Sequence, residues 1–181
     1  MAMQDLQKPE NIHKPDAAVA PDAPHTIRRD DYRPPAWFVP EVALEFELEL
    51  EHTLVRSRLD VRRSKSAKYL EPLRLDGDGL TPVLVKVDGE KFTEWTLANN
   101  VLELSLTGAA HIVEITVELD PSTNTQLMGL YASNDMLCTQ CEAEGFRRIT
   151  FFPDRPDVLS RYSVRLEADK ARFPVLLSNG D

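Results

Sequence analysis

Cys138 and Cys141 stand in a C-x-x-C spacing within the run CTQCEAEGFR at 138–147. Two chemistries use that spacing. A thiol redox pair wants its first cysteine at a helix N-terminus inside a βαβ unit, where the thiolate is stabilised. Half of a zinc site wants a second pair of ligands elsewhere in the chain. The chain has no other cysteine, and no βαβ pattern surrounds these. The histidines, His13, His25, His52 and His111, are scattered and unpaired by spacing. None opens an H-E-x-x-H pattern, which would bring two imidazoles onto one helix face to hold zinc. No Ser/His/Asp set can be argued from spacing, and no glycine-rich phosphate loop is present. Asp76-Gly77-Asp78-Gly79 lacks the spaced carboxylates and closing Glu of a calcium loop, so it reads as a turn. The cysteines are expected to be reduced and structural. Metal chemistry would need residues outside this chain.

The segment 129–158 around the cysteines is unusual in its mixture. Gln140, Glu142, Glu144, Arg147, Arg148, Asp154, Arg155 and Asp157 alternate irregularly with Phe146, Ile149, Phe151 and Phe152. A core strand would not carry so many charges, and a solvated loop would not carry those apolar groups. A rigid segment that presents a few polar side chains outward fits both facts. On local grounds Glu142 is a candidate ion-pair partner of Arg147 or Arg148. Glu144, Arg147, Arg155 and Asp157 read as structural pairing.

The run CTQCEAEGFR and the DRPDV at 154–158 resemble the N-terminal domain of zinc aminopeptidases of the aminopeptidase N type, peptidase family M1. The similarity extends from about Asp30, in DDYRPPAWFVP, to LLSNGD at 176–181. The resemblance implies that Glu142, together with the Glu of a G-A-M-E-N motif, binds the protonated α-amine of a peptide substrate. A carboxylate is the natural partner of an ammonium. It also implies that Gln140 lines the pocket for the first side chain. The family's zinc and G-A-M-E-N motifs are absent from this chain. The expected partners are therefore a catalytic domain of the same polypeptide, which would hold zinc, and a peptide with a free N-terminus. Zinc is expected in that parent enzyme and no cofactor in this chain by itself. The competing reading is a non-catalytic β-sandwich interaction module.

Composition narrows the partners further. The formal charge is −9 with a pI near 5.0, which argues against nucleic acid and anionic membranes. No apolar run approaches the roughly 20 residues that span a bilayer. Residues 1–30 show no apolar h-region, so no secretory signal is expected and a cytoplasmic location is the default.

The elements that must position Glu142 and Gln140 read as strands. Residues 1–28 are polar and proline-punctuated, an expected flexible tail, with a β-domain over 29–181. From Val42 the alternation is strict: Val42, Leu44, Phe46, Leu48 and Leu50 against Glu45, Glu47, Glu49 and Glu51. A hairpin looping at 51–54 would set Leu50 opposite Val55, Phe46 opposite Leu59, Leu44 opposite Val61, Glu49 opposite Arg56 and Glu47 opposite Arg58. Further strands are expected at 73–75, 83–87, 92–95, 101–106, 111–119, 148–152 and 163–168, with turns at Asp88-Gly89 and Asn99-Asn100. Residues 138–146 are expected as a turn or short helix ended by Gly145. The surface near Met136–Glu142 and Phe151–Pro153 is expected to face outward. The fold class is all-β: a sandwich or saddle-like domain of mostly antiparallel strands with one or two short helical turns.

Overall fold

Alternating apolar residues build the first hairpin, and one irregularity sets its geometry. The computed structural model describes residues 28–68 and 70–180. Apart from Arg28, the stretch 1–28 expected as a tail lies outside the described residues. Strand β1 (Trp37–Leu48) buries Trp37 and Val39, then Val42, Leu44, Phe46 and Leu48. The buried parity changes from odd to even where the ladder to β2 (Thr53–Arg63) slips between Phe38 and Glu41. A β-bulge inserts one residue there and turns the faces over. Pro40 occupies the bulge, where a missing N–H breaks no regular ladder bond. The strand therefore begins before Val42, and the bulge hides its first part from the alternation.

The hairpin register differs from the expected one. Phe46 faces Val55, Val42 faces Leu59, Leu44 faces Ser57 and Glu45 faces Arg56. The turn chemistry explains the difference. Thr53 begins β2 inside the domain, and its Oγ1 donates to the Glu49 carbonyl at 2.5 Å and accepts from the Glu49 N–H at 3.0 Å. That closure ends β1 at Leu48, so Leu50 pairs with nothing in the ladder. The displacement is even, so every side chain keeps its expected face. The charges still pair, with Arg56 Nη1 meeting Glu47 Oε1 at 2.5 Å.

Antiparallel neighbours extend the sheet from β2. Strand β8 (Ala110–Leu119) pairs with β2 and with β4 (Pro82–Val87). Asp88 and Gly89, with φ of 53° and 87°, turn β4 into the short β5 (Glu90–Lys91), as an Asp-Gly hairpin should. Phe92 N–H still donates to the Val85 carbonyl at 2.9 Å, but the strand expected to start there goes no further in that pairing. Residues 93–94 leave the sheet, and β6 (Trp95–Ala98) pairs with β7 (Val101–Leu104) across Asn99-Asn100, both at positive φ. Strand β3 (Leu73–Asp76) completes this second, three-stranded sheet. The last strand, β11 (Arg161–Ala168), lies parallel to β1 and sets Tyr162 beside Val42 and Val164 beside Leu44. The large sheet therefore has six strands in the order β11-β1-β2-β8-β4-β5.

One hydrophobic cluster joins the two sheets. Val42, Leu44, Val55, Leu59, Val113 and Ile115 of the large sheet meet Leu73, Leu75, Leu102 and Leu104 of the small one. Burial of such side chains contributes about 1.5–3 kcal/mol each. The domain is all-β and mostly antiparallel. Short 3-10 turns at Pro121–Thr123 and Phe146–Arg148 interrupt it. Residues 28–33 belong to a separate small unit and hold a 3-10 turn at Arg29–Asp31. The apolar run at 173–177 forms no strand; Val175 and Leu177 are 71% and 86% exposed.

Candidate functional site

Cys138 lies on a strand rather than in the expected turn or helix. Strand β9 (Gly129–Ser133) pairs with β10 (Met136–Gln140), which sets Cys138 opposite Tyr131 and Gln140 opposite Gly129. The chain then makes a tight turn from Cys141 to Gly145, closed by Gly145 N–H donating to the Cys141 carbonyl at 2.9 Å. Gly145 opens the 3-10 turn Phe146–Arg148 rather than ending a helix. A Cβ on Gly145 would fall against the Gln140 carbonyl oxygen and 2.6 Å from the Cys141 Cα. Only glycine permits so close a return of backbone on backbone. The Glu142–Ala143 peptide inside this turn is cis.

The strand expected at 148–152 is absent. Ile149, Thr150, Phe151, Phe152 and Pro153 are buried in succession, a pattern no half-buried strand can produce. The backbone is satisfied otherwise. Phe152 exchanges two hydrogen bonds with Asp76, at 2.8 and 3.1 Å, and Thr150 Oγ1 donates to Ser57 Oγ at 3.0 Å. The outward surface expected at Phe151–Pro153 is therefore inside the domain. Met136, Thr139, Gln140, Cys141 and Glu142 do face outward.

The turn at Asp76–Gly79, which the sequence marks only as a turn, clamps this segment. The Phe151 ring occupies the space where a Gly77 Cβ would stand. Asp78 N–H donates to the Arg147 carbonyl at 2.9 Å, and the Asp78 carboxylate takes an ion pair from Arg148 Nη1. Asn100 Nδ2 donates to the other oxygen of Asp78 at 3.2 Å. Phe146 adds an edge-to-face contact with Phe152 at 5.2 Å and another with Tyr162 at 5.6 Å. A cleft of about 420 Å³ opens among Asp76, Asp78, Asn100, Ala143, Glu144 and Arg148. No local motif marks Asp78, because its partner is 70 positions away.

Glu142 is exposed at the crest of the turn, and the local ion pair considered for it does not form. Arg147 Nε meets Asp154 Oδ2 at 3.0 Å, and its Nη2 reaches the Asp154 carbonyl at 2.8 Å and Glu144 Oε1 at 3.3 Å. Arg148 goes to Asp78. Among the described residues no cation neutralises Glu142. Gln140 is also exposed, and its Nε2 donates to the Glu142 carbonyl at 3.2 Å, so the two candidate residues share one small unit. Arg155 pairs with Asp157 at 2.7 Å, and the pairing expected of Glu144, Arg147, Arg155 and Asp157 is found.

Cys138 and Cys141 form no disulfide. Partial burial of the Cys141 thiol, then the nearby Asp154 carboxylate, push its pKa above the ordinary value, although the residue as a whole is solvent-accessible. A redox thiol needs the opposite shift. Among the described residues no three His, Cys, Asp or Glu side chains converge to hold a metal. His52 Nδ1 meets Glu118 at 2.9 Å. His111 accepts from Gly108 N–H at Nε2, so its Nδ1 carries the proton given to Asp88 at 2.7 Å. His13 and His25 lie outside the described residues.

The family model of the peptidase M1 N-terminal domain matches residues 80–181. The chain is 46% identical over 162 residues to the aminopeptidase N of Caulobacter vibrioides, covering 88% of this chain and 18% of that protein. It is 41% identical over 158 residues to the aminopeptidase N of Escherichia coli, covering 87% and 18%. The crystal structure of Legionella pneumophila aminopeptidase A in complex with aspartic acid superposes with a TM-score of 0.76 at 31% identity, covering 83% of this chain and 18% of that one. An M1 zinc metallopeptidase from Deinococcus radiodurans shares the fold with a TM-score of 0.60 at 18% identity, covering 74% and 32%. The chain thus spans 18% of the length of the curated relatives it matches.

Proposed function

The chain belongs to the peptidase M1 N-terminal domain family, and from that premise we propose that it serves a zinc aminopeptidase by recognising the free α-amine of the peptide substrate. Glu142 is the residue that does so. One observation carries the reading: its carboxylate is exposed on a pinned turn, and both neighbouring guanidiniums are committed elsewhere. An ammonium entering a closed cleft loses hydration, and a fixed carboxylate offsets that loss. Gln140, tied to the Glu142 carbonyl, shapes the space for the first side chain. Zinc, which supplies the hydrolytic chemistry in such enzymes, belongs to residues outside this chain. The domain caps the cleft from one side, and the catalytic domain of the same polypeptide is its partner. The exposed apolar Leu159, Val175 and Leu177 suit such a covered surface. The unpaired thiols suit a reducing, cytoplasmic setting.

Steady-state kinetics of Glu142→Gln in the full polypeptide test the assignment. The substitution keeps size and hydrogen bonding but removes the charge. Truncating one partner of such a pair costs about 2–5 kcal/mol. At about 1.36 kcal/mol per tenfold, kcat/KM should fall by about 30-fold to several-thousand-fold. A fall below about threefold in a folded, zinc-loaded variant would return Glu142 to the status of a solvated surface charge.

A further inference from the structure

We infer that the Asp78–Arg148 ion pair is a positioning device for Glu142, holding the far end of the turn that carries it. The inference rests on the amine-binding reading of Glu142. The turn Cys141–Gly145 hangs between two anchors. Its near end is the end of β10, where Gln140 pairs with Gly129. Its far end is Gly145, whose carbonyl accepts from Arg148 N–H at 3.1 Å at the start of the 3-10 turn. That 3-10 turn is only three residues long and cannot hold itself in place. Arg148 ties it to the 76–79 turn by side chain, and Asp78 N–H ties it again by backbone through the Arg147 carbonyl. Asn100 orients the Asp78 carboxylate from the β6–β7 turn. A contiguous route therefore runs from the small sheet through Asp78 and Arg148 to Gly145 and the turn crest. Arg148 makes no contact with Glu142 among the described residues, so its influence is on position alone. Neutralising Asp78 leaves the Arg148 guanidinium to find another partner. The nearest unmatched carboxylate by sequence is Glu142 itself, which would be drawn from its place and have its charge compensated by the guanidinium.

A double-mutant cycle in the full polypeptide tests this, with an amino-acid chromogenic amide bearing a free α-amine as substrate. Asp78→Asn should lower kcat/KM by about 10- to 100-fold, with kcat reduced as well as KM raised, since a small misplacement of a bound group costs that much. In the Glu142→Gln background the same Asp78→Asn change should cost less than about twofold. Arg148→Lys, which keeps the charge near Asp78, should recover much of the loss seen in Arg148→Gln. An equal factor for Asp78→Asn in both backgrounds would show a merely structural role and overturn the inference while leaving Glu142 in place. No effect of Asp78→Asn in a folded protein would overturn it too. A silent Glu142→Gln would overturn the amine-binding reading, and this inference with it. If Asp78→Asn fails to fold, the cycle is run with Arg148→Gln, whose non-additivity with Glu142→Gln decides the same question.

Discussion

Arg63 lays its guanidinium over the indole of Trp37, 4.2 Å from the ring centroid, directly across the β1–β2 ladder. The same guanidinium donates to the carbonyls of Gly108 at 3.2 Å, Glu71 at 2.9 Å and Leu106 at 2.7 Å. Trp37 Nε1 donates to that Glu71 carbonyl as well, at 3.1 Å. One planar cation thus closes two connections over the end of the core. A lysine cannot reproduce the planar fork or the stacking. Arg63→Lys should destabilise the domain by about 1–3 kcal/mol, the cost of leaving partly buried carbonyls without donors. Urea unfolding checks this, and an unchanged midpoint would refute it.

Gly77 is required by its neighbour rather than by its backbone angle. A Cβ there would overlap the ring of Phe151, which is fully buried. Gly77→Ala should cost about 1–3 kcal/mol through overpacking. Phe151→Leu should lose stability alone but relieve the clash in combination. The double variant should therefore be more stable than the two single losses predict, and strict additivity would count against the contact.

Acid should weaken the hairpin at Asp88. His111 Nδ1–H and then the Ile112 N–H hold the Asp88 carboxylate below its ordinary value of 3.8. A carboxyl with a depressed folded pKa contributes stability that is fully present above its unfolded pKa. That contribution is lost as the pH falls through the folded value. Stability should therefore decline below about pH 4. Asp88→Asn should flatten that acid limb and lower stability near neutrality, as read from melting temperatures across the pH range. An unaltered pH profile would show that the pair contributes nothing.

The cysteines should behave as plain thiols. Both should titrate without reductant. Cys141 should be alkylated slowly at neutral pH and faster as the pH rises past the ordinary thiol value, because its thiolate is disfavoured. This chain, purified by itself, should carry no stoichiometric zinc. A tightly held zinc per chain, or a disulfide that persists in reducing buffer, would contradict the reading of 138–141.

Much of the fold was legible because its signals are local. Alternation from Val42 to Leu48 sets which side chains point inward, whatever strand lies opposite. Asp88-Gly89 and Asn99-Asn100 supply the positive φ that tight hairpins need, and both turns form where the dipeptides stand. The run CTQCEAEGFR likewise carried the resemblance to the family to which the chain belongs. The remainder depended on partners distant in the chain. The β1–β2 register followed from the Thr53 side chain closing on Glu49, not from matching apolar residues. Residues 92–98 kept a strand-like pattern while changing sheets, because period alone does not name a neighbour. The parallel seat of β11 beside β1, and the irregular burial of 149–153, came from packing against surfaces formed elsewhere. The status of Glu142 shows the division most clearly. The sequence placed two arginines within reach of it. Only the tertiary fold brought Asp78 and Asp154 to take those arginines, because an ion pair forms with whichever carboxylate the packed backbone brings nearest.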